Sequence, residues 1–122
     1  MTEPAYNRLF VKMVRDGTRT HLKEADKCYI TGETEELEVH HLYTLSALVN
    51  EYVQKHNIAI TDENKVEVRA EFIAAHPNEI QSQYVLAKRM HTKLHVIFGL
   101  NYPTHYVPKV LRWMDKQKER YS

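Results

Sequence analysis

Hydrophobic residues recur three or four positions apart in five segments of the chain, a spacing that places them on one face of a helix. In the first segment Leu9 and Met13 follow this pattern, and Asp16-Gly17 ends it. Gly99 is a natural stop for a later helix, because glycine readily adopts the backbone conformation that follows a last helical turn. The predicted helices cover about residues 6–16, 45–53, 62–75, 87–98 and 104–121.

Two further runs predict a β-hairpin. Cys28–Thr31 is rich in residues that favour strands, Gly32–Glu35 is typical of a turn, and Leu37–His40 alternates as a returning strand does. Tyr84–Leu86 is a brief extended piece. Because no linker, repeat or low-complexity run divides the chain, we expect one α+β domain over residues 1–122, mostly helical with one small hairpin.

The composition is that of an ordinary globular domain, with 122 residues, 43% of them hydrophobic and 27% charged. No run approaches the roughly 18–20 apolar residues of a membrane span, and we expect no secretory leader because residues 1–15 mix acidic and basic side chains. The single cysteine, Cys28, excludes an internal disulfide and indicates a reducing compartment, the cytoplasm. With eight histidines against one cysteine, we expect any metal to be held by imidazoles.

The net charge of +1 conceals an uneven distribution along the chain. Residues 1–28 carry a net charge of +2, residues 29–100 carry −4 and residues 101–122 carry +3. Basic ends around an acidic centre are compatible with a polyanionic partner that the terminal segments contact. Charge alone favours the simpler interpretation, in which these residues form solvated helix faces.

Two histidine pairs stand out: the adjacent His40-His41, and His91 with His95 four residues later. On a helix an i,i+4 pair lies on one face with Cβ atoms about 6 Å apart, close enough for both rings to bind one ion. Neighbours on a strand face opposite ways, so His40 and His41 need different roles. With eight histidines in the chain each pair also arises by chance, and a solvated or core-lining pair is the alternative.

The order of these residues resembles the HNH, or ββα-metal, endonucleases. In that family a Cys-x-x-Cys-Gly turn precedes a strand that carries a metal ligand followed by a histidine. The corresponding frame here is Cys28-x-x-Thr31-Gly32 and then Glu38–Leu42, and the family's metal-binding helix matches Ala87–His95. The resemblance runs from about Lys27 to Leu111 and extends to small phage-encoded members, which insert a helical segment between the two halves. It implies a ββα-metal core over about residues 27–100, followed by a basic C-terminal helix.

The resemblance implies metal-dependent hydrolysis of DNA phosphodiester bonds. His41 corresponds to the general base that deprotonates the attacking water, a role that suits an imidazole with an unperturbed pKa of about 6.5. His40, His91 and His95 correspond to the ligands of one divalent ion. Three imidazoles favour Zn²⁺, Ni²⁺ or Mn²⁺, whereas Mg²⁺ requires that oxygen ligands complete the site. The identity of the ion among these four is left open.

The chain departs from the family pattern at two places. The positions that carry four zinc-binding cysteines in many members hold Cys28, Thr31, Ala87 and Met90. This set excludes a structural zinc, so we expect hydrophobic packing to join the hairpin to the helix. The asparagine that supports the loop behind the base corresponds to Ser82, beside Gln83, and we expect one of these side chains to hydrogen-bond that loop.

Basic side chains on the predicted helices are candidates for contacts with DNA phosphates. They are Lys88, Arg89 and Lys93 beside the helical histidines, and Lys109, Arg112 and Lys116 on the last helix. A third set in the first helix comprises Arg8, Lys12 and Arg15. Two alternatives stay open: an HNH-fold module that binds DNA or protein without cleaving DNA, and a structural zinc protein with no role on nucleic acid.

Overall fold

The computed structural model describes residues 4–17 and 26–122, with the side chains of residues 9–16 in the first of these segments. The helices and strands, in chain order, are α1 (Pro4–Gly17), β1 (Leu37–His41), α2 (Leu45–Lys55), α3 (Lys65–Ala75), α4 (Pro77–Gln81), β2 (Gln83–Ala87), α5 (Lys88–Phe98) and α6 (Val107–Arg120). A 3-10 turn, Thr104–Tyr106, leads into α6. None of the described helices is both long and apolar enough to cross a membrane.

All five predicted helices are present, with small differences at their ends. The third begins at Lys65 rather than at position 62 because Thr61 and Asn64 close a turn in front of it. The backbone N–H of each donates to the side-chain oxygen of the other, at 2.8 and 3.2 Å. The short helix α4 has no counterpart in the prediction, since five residues are too few to show a helical period.

The predicted hairpin between Cys28–Thr31 and Leu37–His40 is wrong. Residues 28–33 form a tight turn instead, in which Gly32 N–H donates to Cys28 O at 2.9 Å and Cys28 N–H donates to Glu33 O at 2.7 Å. Because these backbone groups bond within the turn, they cannot pair with Leu37–His40, and a backbone bond from the turn to a strand runs instead from Tyr29 N–H to Val85 O, at 2.8 Å. Gly32 has a φ of +78°, a left-handed conformation that glycine adopts without the usual steric cost.

β1 pairs with β2, the segment predicted only as a brief extended piece. The strands are antiparallel, and they pair Leu37 with Ala87 at one end and His41 with Gln83 at the other. Three helices separate them in the chain, and β2 passes directly into α5. The two strands and α5 therefore follow a β-β-α order with a helical insertion, and the predicted α+β class, mostly helical, is confirmed.

Two hydrophobic cores hold these elements together. The first joins α1 to α2, α3 and α4, and Phe72 is fully buried within it. The second joins the turn at residues 28–33 to β2, α5 and α6, with Leu94 fully buried. This second core also contains three of the four residues that stand at the zinc-cysteine positions: Cys28, Ala87 and Met90. Packing therefore joins the turn to the helix, as the sequence predicts.

Candidate metal centre

Three of the four predicted site histidines lie together where β1 meets α5. His40 Nδ1 lies 3.2 Å from His91 Nε2, and His91 Nε2 lies 3.1 Å from His95 Nε2. One nitrogen from each ring lies within 4.8 Å of the corresponding nitrogens of the other two. The i,i+4 spacing places His91 and His95 on the same face of α5, and this face is the one that meets His40 of β1.

The outer nitrogens of the two α5 histidines bond to oxygen atoms. His91 Nδ1 lies 2.9 Å from Glu38 Oε1, and His95 Nδ1 lies 2.9 Å from the carbonyl oxygen of Gly99. Contacts of this kind are typical of metal-binding histidines, because they fix the tautomer and the orientation of the ring. Glu38 reaches His91 from β1, whereas Gly99 is the residue that ends α5.

These oxygen partners determine which nitrogen of each ring carries the proton. A carboxylate or carbonyl oxygen only accepts hydrogen bonds, so in the neutral rings of His91 and His95 the Nδ1 atom is the donor. The two Nε2 atoms, 3.1 Å apart, therefore both carry lone pairs. Two lone pairs at this distance repel one another unless both face a cation, which is the arrangement of two ligands in a metal site.

His40 is the most deeply buried member of the cluster, at 2% exposure, and its outer partner Tyr102 is equally buried. His40 Nε2 lies 2.9 Å from the Tyr102 hydroxyl, which also bonds to the carbonyl oxygen of Leu42. Burial lowers the pKa of His40 to about 3, raises the pKa of Tyr102 above its usual range, and lowers the pKa of His91. At neutral pH the imidazole rings of His40 and His91 are therefore uncharged, and the uncharged imidazole is the form that binds metal.

Two of the three nitrogen separations in the cluster match those of a zinc or transition-metal site. Nitrogen ligands bind Zn²⁺ at about 2.0–2.1 Å, so two of them on one ion lie about 3.3 Å apart. The observed separations of 3.1 and 3.2 Å are close to that value. Three imidazoles with outer hydrogen bonds are a donor set for Zn²⁺, Ni²⁺ or Mn²⁺ more than for Mg²⁺.

His41 lies outside the three-histidine cluster but lines the same cavity. This cavity has a volume of about 290 Å³, and the cluster and His41 form part of its wall. Arg15 from α1 and Asn101 from the segment after α5 also line it. A molecule that fills the cavity would therefore contact His41, the cluster and Arg15.

The side chains of Ser82 and Gln83, predicted to support the loop behind His41, bond to α4. They donate, at 2.9 and 3.0 Å, to the carbonyl oxygens of Asn78 and Ile80. The backbone supports the loop, because Leu42 N–H, directly after His41, donates to Ser82 O at 2.9 Å.

The six basic residues predicted on α5 and α6 are all exposed. Arg89 differs from the others because it forms an ion pair with Glu33 and donates to the Tyr121 hydroxyl at 3.1 Å. These bonds tie the turn at residues 28–33 and the C-terminal end to α5. The other five present their charges at the surface: Lys88, Lys93, Lys109, Arg112 and Lys116.

The three basic residues predicted in the first helix differ in their surroundings. Arg15 lines the cavity, whereas Lys12 forms an ion pair with Asp16 at 3.9 Å. Arg8 lies outside the side chains that the structure describes. Among the described residues of this set, Arg15 is therefore the one that reaches the candidate site.

Two residues of the site, Glu38 and Tyr102, are missed by the sequence analysis. Glu38 lies two positions before His40 and so on the same side of β1, a spacing that places its carboxylate near the cluster. Tyr102 carries no comparable signal. It lies in an irregular segment after α5, 62 residues from His40, and only the fold brings the two side chains together.

Comparison with known proteins gives an independent assignment. The family model of the phage T5 nicking endonuclease family matches residues 1–122. No solved structure shows a significant match. Because the family match covers the full chain, it does not depend on the histidine pairs alone. The chain belongs to the phage T5 nicking endonuclease family.

Proposed function

We propose that the chain is a metal-dependent DNA endonuclease of the HNH type, with His41 as general base and with His40, His91 and His95 as ligands of one divalent ion. The proposal rests on the convergence of three imidazole nitrogens beside a cavity that His41 also lines. Membership of a nicking endonuclease family supports the nuclease activity. The β-β-α order of β1, β2 and α5 supports the HNH type.

The proposed reaction is the attack of water on the phosphorus atom of a DNA phosphodiester. Neutral His41 accepts a proton from this water, so that hydroxide adds to phosphorus while the bond to the 3′ oxygen breaks. The 3′ oxygen takes a proton from solvent, and His41 later returns its own proton to solvent. A divalent ion, when bound, would supply positive charge that stabilises the negative charge on the phosphate and on the departing 3′ oxygen.

The cavity suits a phosphate group. Arg15 and the histidines line it, and none of its described lining residues is acidic. Glu38 lies nearby, but its carboxylate bonds to the outer nitrogen of His91. A phosphodiester that enters the cavity therefore meets Arg15, the one arginine among its described lining residues, and the guanidinium contacts the phosphate oxygens.

The exposed basic residues of α5 and α6 provide further positive charges for contact with DNA. Lys88 and Lys93 share α5 with two of the metal-binding histidines. Lys109, Arg112 and Lys116 lie on α6, within the segment of net charge +3. These side chains contact the phosphates that flank the scissile bond, and such contacts position DNA without reading its sequence.

The substitution His41→Ala tests the proposal in a plasmid-nicking assay with Mg²⁺, Mn²⁺, Ni²⁺ or Zn²⁺. Because His41 lies outside the three-histidine cluster, we expect nicking to fall by about 10²–10⁴-fold while metal affinity in calorimetric titration is kept. The matched control is His105→Ala, since His105 is an exposed histidine packed against Tyr106. Full activity of His41→Ala would contradict the base assignment.

A second function, DNA binding without cleavage, has one observation in its favour. Ser82, at the position of the family's asparagine, and its neighbour Gln83 both direct their side chains to α4 rather than to the loop behind His41. This alternative predicts salt-sensitive DNA binding and no nicking by the wild-type chain with any of the four ions. The same assay therefore separates the two functions.

A further inference from the structure

A buried tyrosine that does not line the cavity contacts the three-histidine cluster. Tyr102 is 2% exposed, and its hydroxyl lies between Nε2 of His40, at 2.9 Å, and the carbonyl oxygen of Leu42. Neither the chain's family nor its histidine motifs assign a role to this residue. Its hydroxyl is the outer partner of the one ligand that comes from the strand rather than from α5.

The directions of these two hydrogen bonds are fixed by chemistry. The Leu42 carbonyl oxygen can only accept, so it takes the single proton of the Tyr102 hydroxyl. The hydroxyl oxygen must then accept from His40 Nε2, and the neutral ring carries its proton there. Nδ1 of His40 consequently holds a lone pair, and it faces His91 Nε2 at 3.2 Å.

We propose that Tyr102 is a positioning residue of the metal centre. Because its hydroxyl donates to the Leu42 carbonyl, it accepts from His40 Nε2, and this keeps His40 Nδ1 unprotonated as a metal ligand. This inference rests on the proposed function. His91 and His95 bond directly to acceptor-only oxygens and need no such intermediary. The outer partner of His40 is a hydroxyl, which can either donate or accept. The Leu42 carbonyl takes the hydroxyl proton, so the hydroxyl oxygen can only accept from His40.

Two contacts hold Tyr102 in place for this role. The Thr44 hydroxyl donates to the backbone carbonyl of Tyr102 at 3.0 Å, which ties the segment after α5 to the start of α2. The Tyr102 ring packs edge-on against Phe98, with centroids 6.3 Å apart. Both contacts involve the backbone or the ring, so removal of the hydroxyl alone leaves them intact.

The test uses Tyr102→Phe, which keeps the ring and removes the hydroxyl. Zn²⁺ affinity is measured by competition against a chelator of known affinity, and we expect a loss of about 10–100-fold relative to the wild type. Tyr106→Phe is the matched control, because it removes the same atom from a half-buried tyrosine that does not line the cavity. We expect wild-type affinity in that control.

A second measurement determines which ring nitrogen of His40 carries the proton in the wild-type chain. Long-range ¹H–¹⁵N NMR of the metal-free protein is expected to show His40 protonated at Nε2 and unprotonated at Nδ1. A proton on Nδ1 would overturn the proposal, even if Tyr102→Phe fails to fold. Unchanged Zn²⁺ affinity in folded Tyr102→Phe would overturn it as well.

The outcomes also separate this inference from the function on which it rests. If the wild type binds Zn²⁺ and nicks DNA while Tyr102→Phe matches it in affinity, the role of Tyr102 is wrong and the endonuclease function stands. If the wild type binds none of the four ions, both proposals fail. A weaker site in Tyr102→Phe, together with the predicted tautomer in the wild type, supports the positioning role.

Discussion

Each histidine of the cluster has one ring nitrogen turned toward the other two rings and the other nitrogen bonded to an oxygen atom. For His91 and His95 that oxygen is an acceptor only, a carboxylate in one case and a carbonyl in the other. The inward lone pairs therefore follow from the outer contacts rather than from the metal. A site built in this way is oriented for a cation before the cation arrives, which lowers the cost of ordering the ligands on binding.

Removal of the Glu38 carboxylate is expected to weaken the metal site without removing a ligand. Glu38→Ala leaves Nδ1 of His91 without its acceptor, and we expect Zn²⁺ affinity to fall by about 10–100-fold. Glu38→Gln keeps an acceptor oxygen but not the charge, so its loss should be smaller. The control is Glu35→Ala, at an exposed position before β1. Equal affinity in Glu38→Ala and the wild type would show that this carboxylate does not orient the ring.

At this scale the sequence predicts which histidines cluster better than it predicts the residues to which they bond. Metal ligation restricts the residue type and the spacing, so His91 and His95 stand out at i,i+4. The partners are less restricted, because any acceptor oxygen serves. The Gly99 partner is a backbone carbonyl, which no sequence pattern marks, and Tyr102 reaches its histidine across 62 residues.

The end of α5 contributes to the site as an element. Gly99 closes the helix with a φ of +98°, and its N–H donates to His95 O at 2.9 Å. The same residue's carbonyl oxygen accepts from the His95 ring. The end of the helix and the outer hydrogen bond of the His95 ring therefore depend on one backbone conformation, and that conformation favours glycine.

Gly99→Ala is expected to affect both stability and metal binding, whereas Gly32→Ala affects stability alone. Both glycines have positive φ, +98° and +78°, and an added Cβ would meet nothing within 4 Å at either position. The cost is thus conformational, and we expect each variant to lose about 1–3 kcal/mol in the free energy of unfolding, measured in urea. Only Gly99→Ala should also weaken Zn²⁺ binding, because its carbonyl oxygen contacts His95. Equal Zn²⁺ affinity in the two variants would contradict this role for the helix end.

At this scale the sequence predicts helices well, because their signal is local. It does not predict strand pairing, because the paired segments are far apart in the chain. The five helical patterns each lie within one segment, so a period along the chain reveals them. β1 is predicted at Leu37–His40 and lies at Leu37–His41, but its partner lies 42 residues beyond its end, after three helices. Cys28–Thr31 has equally favourable strand-forming residues, and the hydrogen bonds that commit it to a turn are not visible in the sequence.

In the whole molecule, elements of both hydrophobic cores contribute residues to the candidate site. α5 carries His91 and His95 and packs in the second core, whereas α1 carries Arg15 and packs in the first. Tyr43, shortly after β1, packs against both. The proposed ligands on α5 and the proposed phosphate contact on α1 therefore come from elements that pack in different cores.

The basic surface of the whole molecule predicts how DNA binding depends on salt. We expect Arg112→Gln to reduce the slope of log affinity against log salt concentration by about 1, because one phosphate contact is lost. Arg89→Gln should leave the slope unchanged, since the Arg89 guanidinium is bonded to Glu33 and Tyr121. Fluorescence anisotropy with labelled duplex DNA measures both slopes. A larger change in Arg89→Gln than in Arg112→Gln would reverse this assignment.

Calorimetric titration of the metal-free chain with Zn²⁺ tests most directly whether His40, His91 and His95 form one metal site. The expected result is one ion bound per chain. His91→Ala, which removes a ligand, should lose more affinity than the 10–100-fold typical of an outer partner, while the control His105→Ala should bind as the wild type does. Absence of Zn²⁺ binding by the wild type, or equal affinity in His91→Ala, would contradict the three-histidine site.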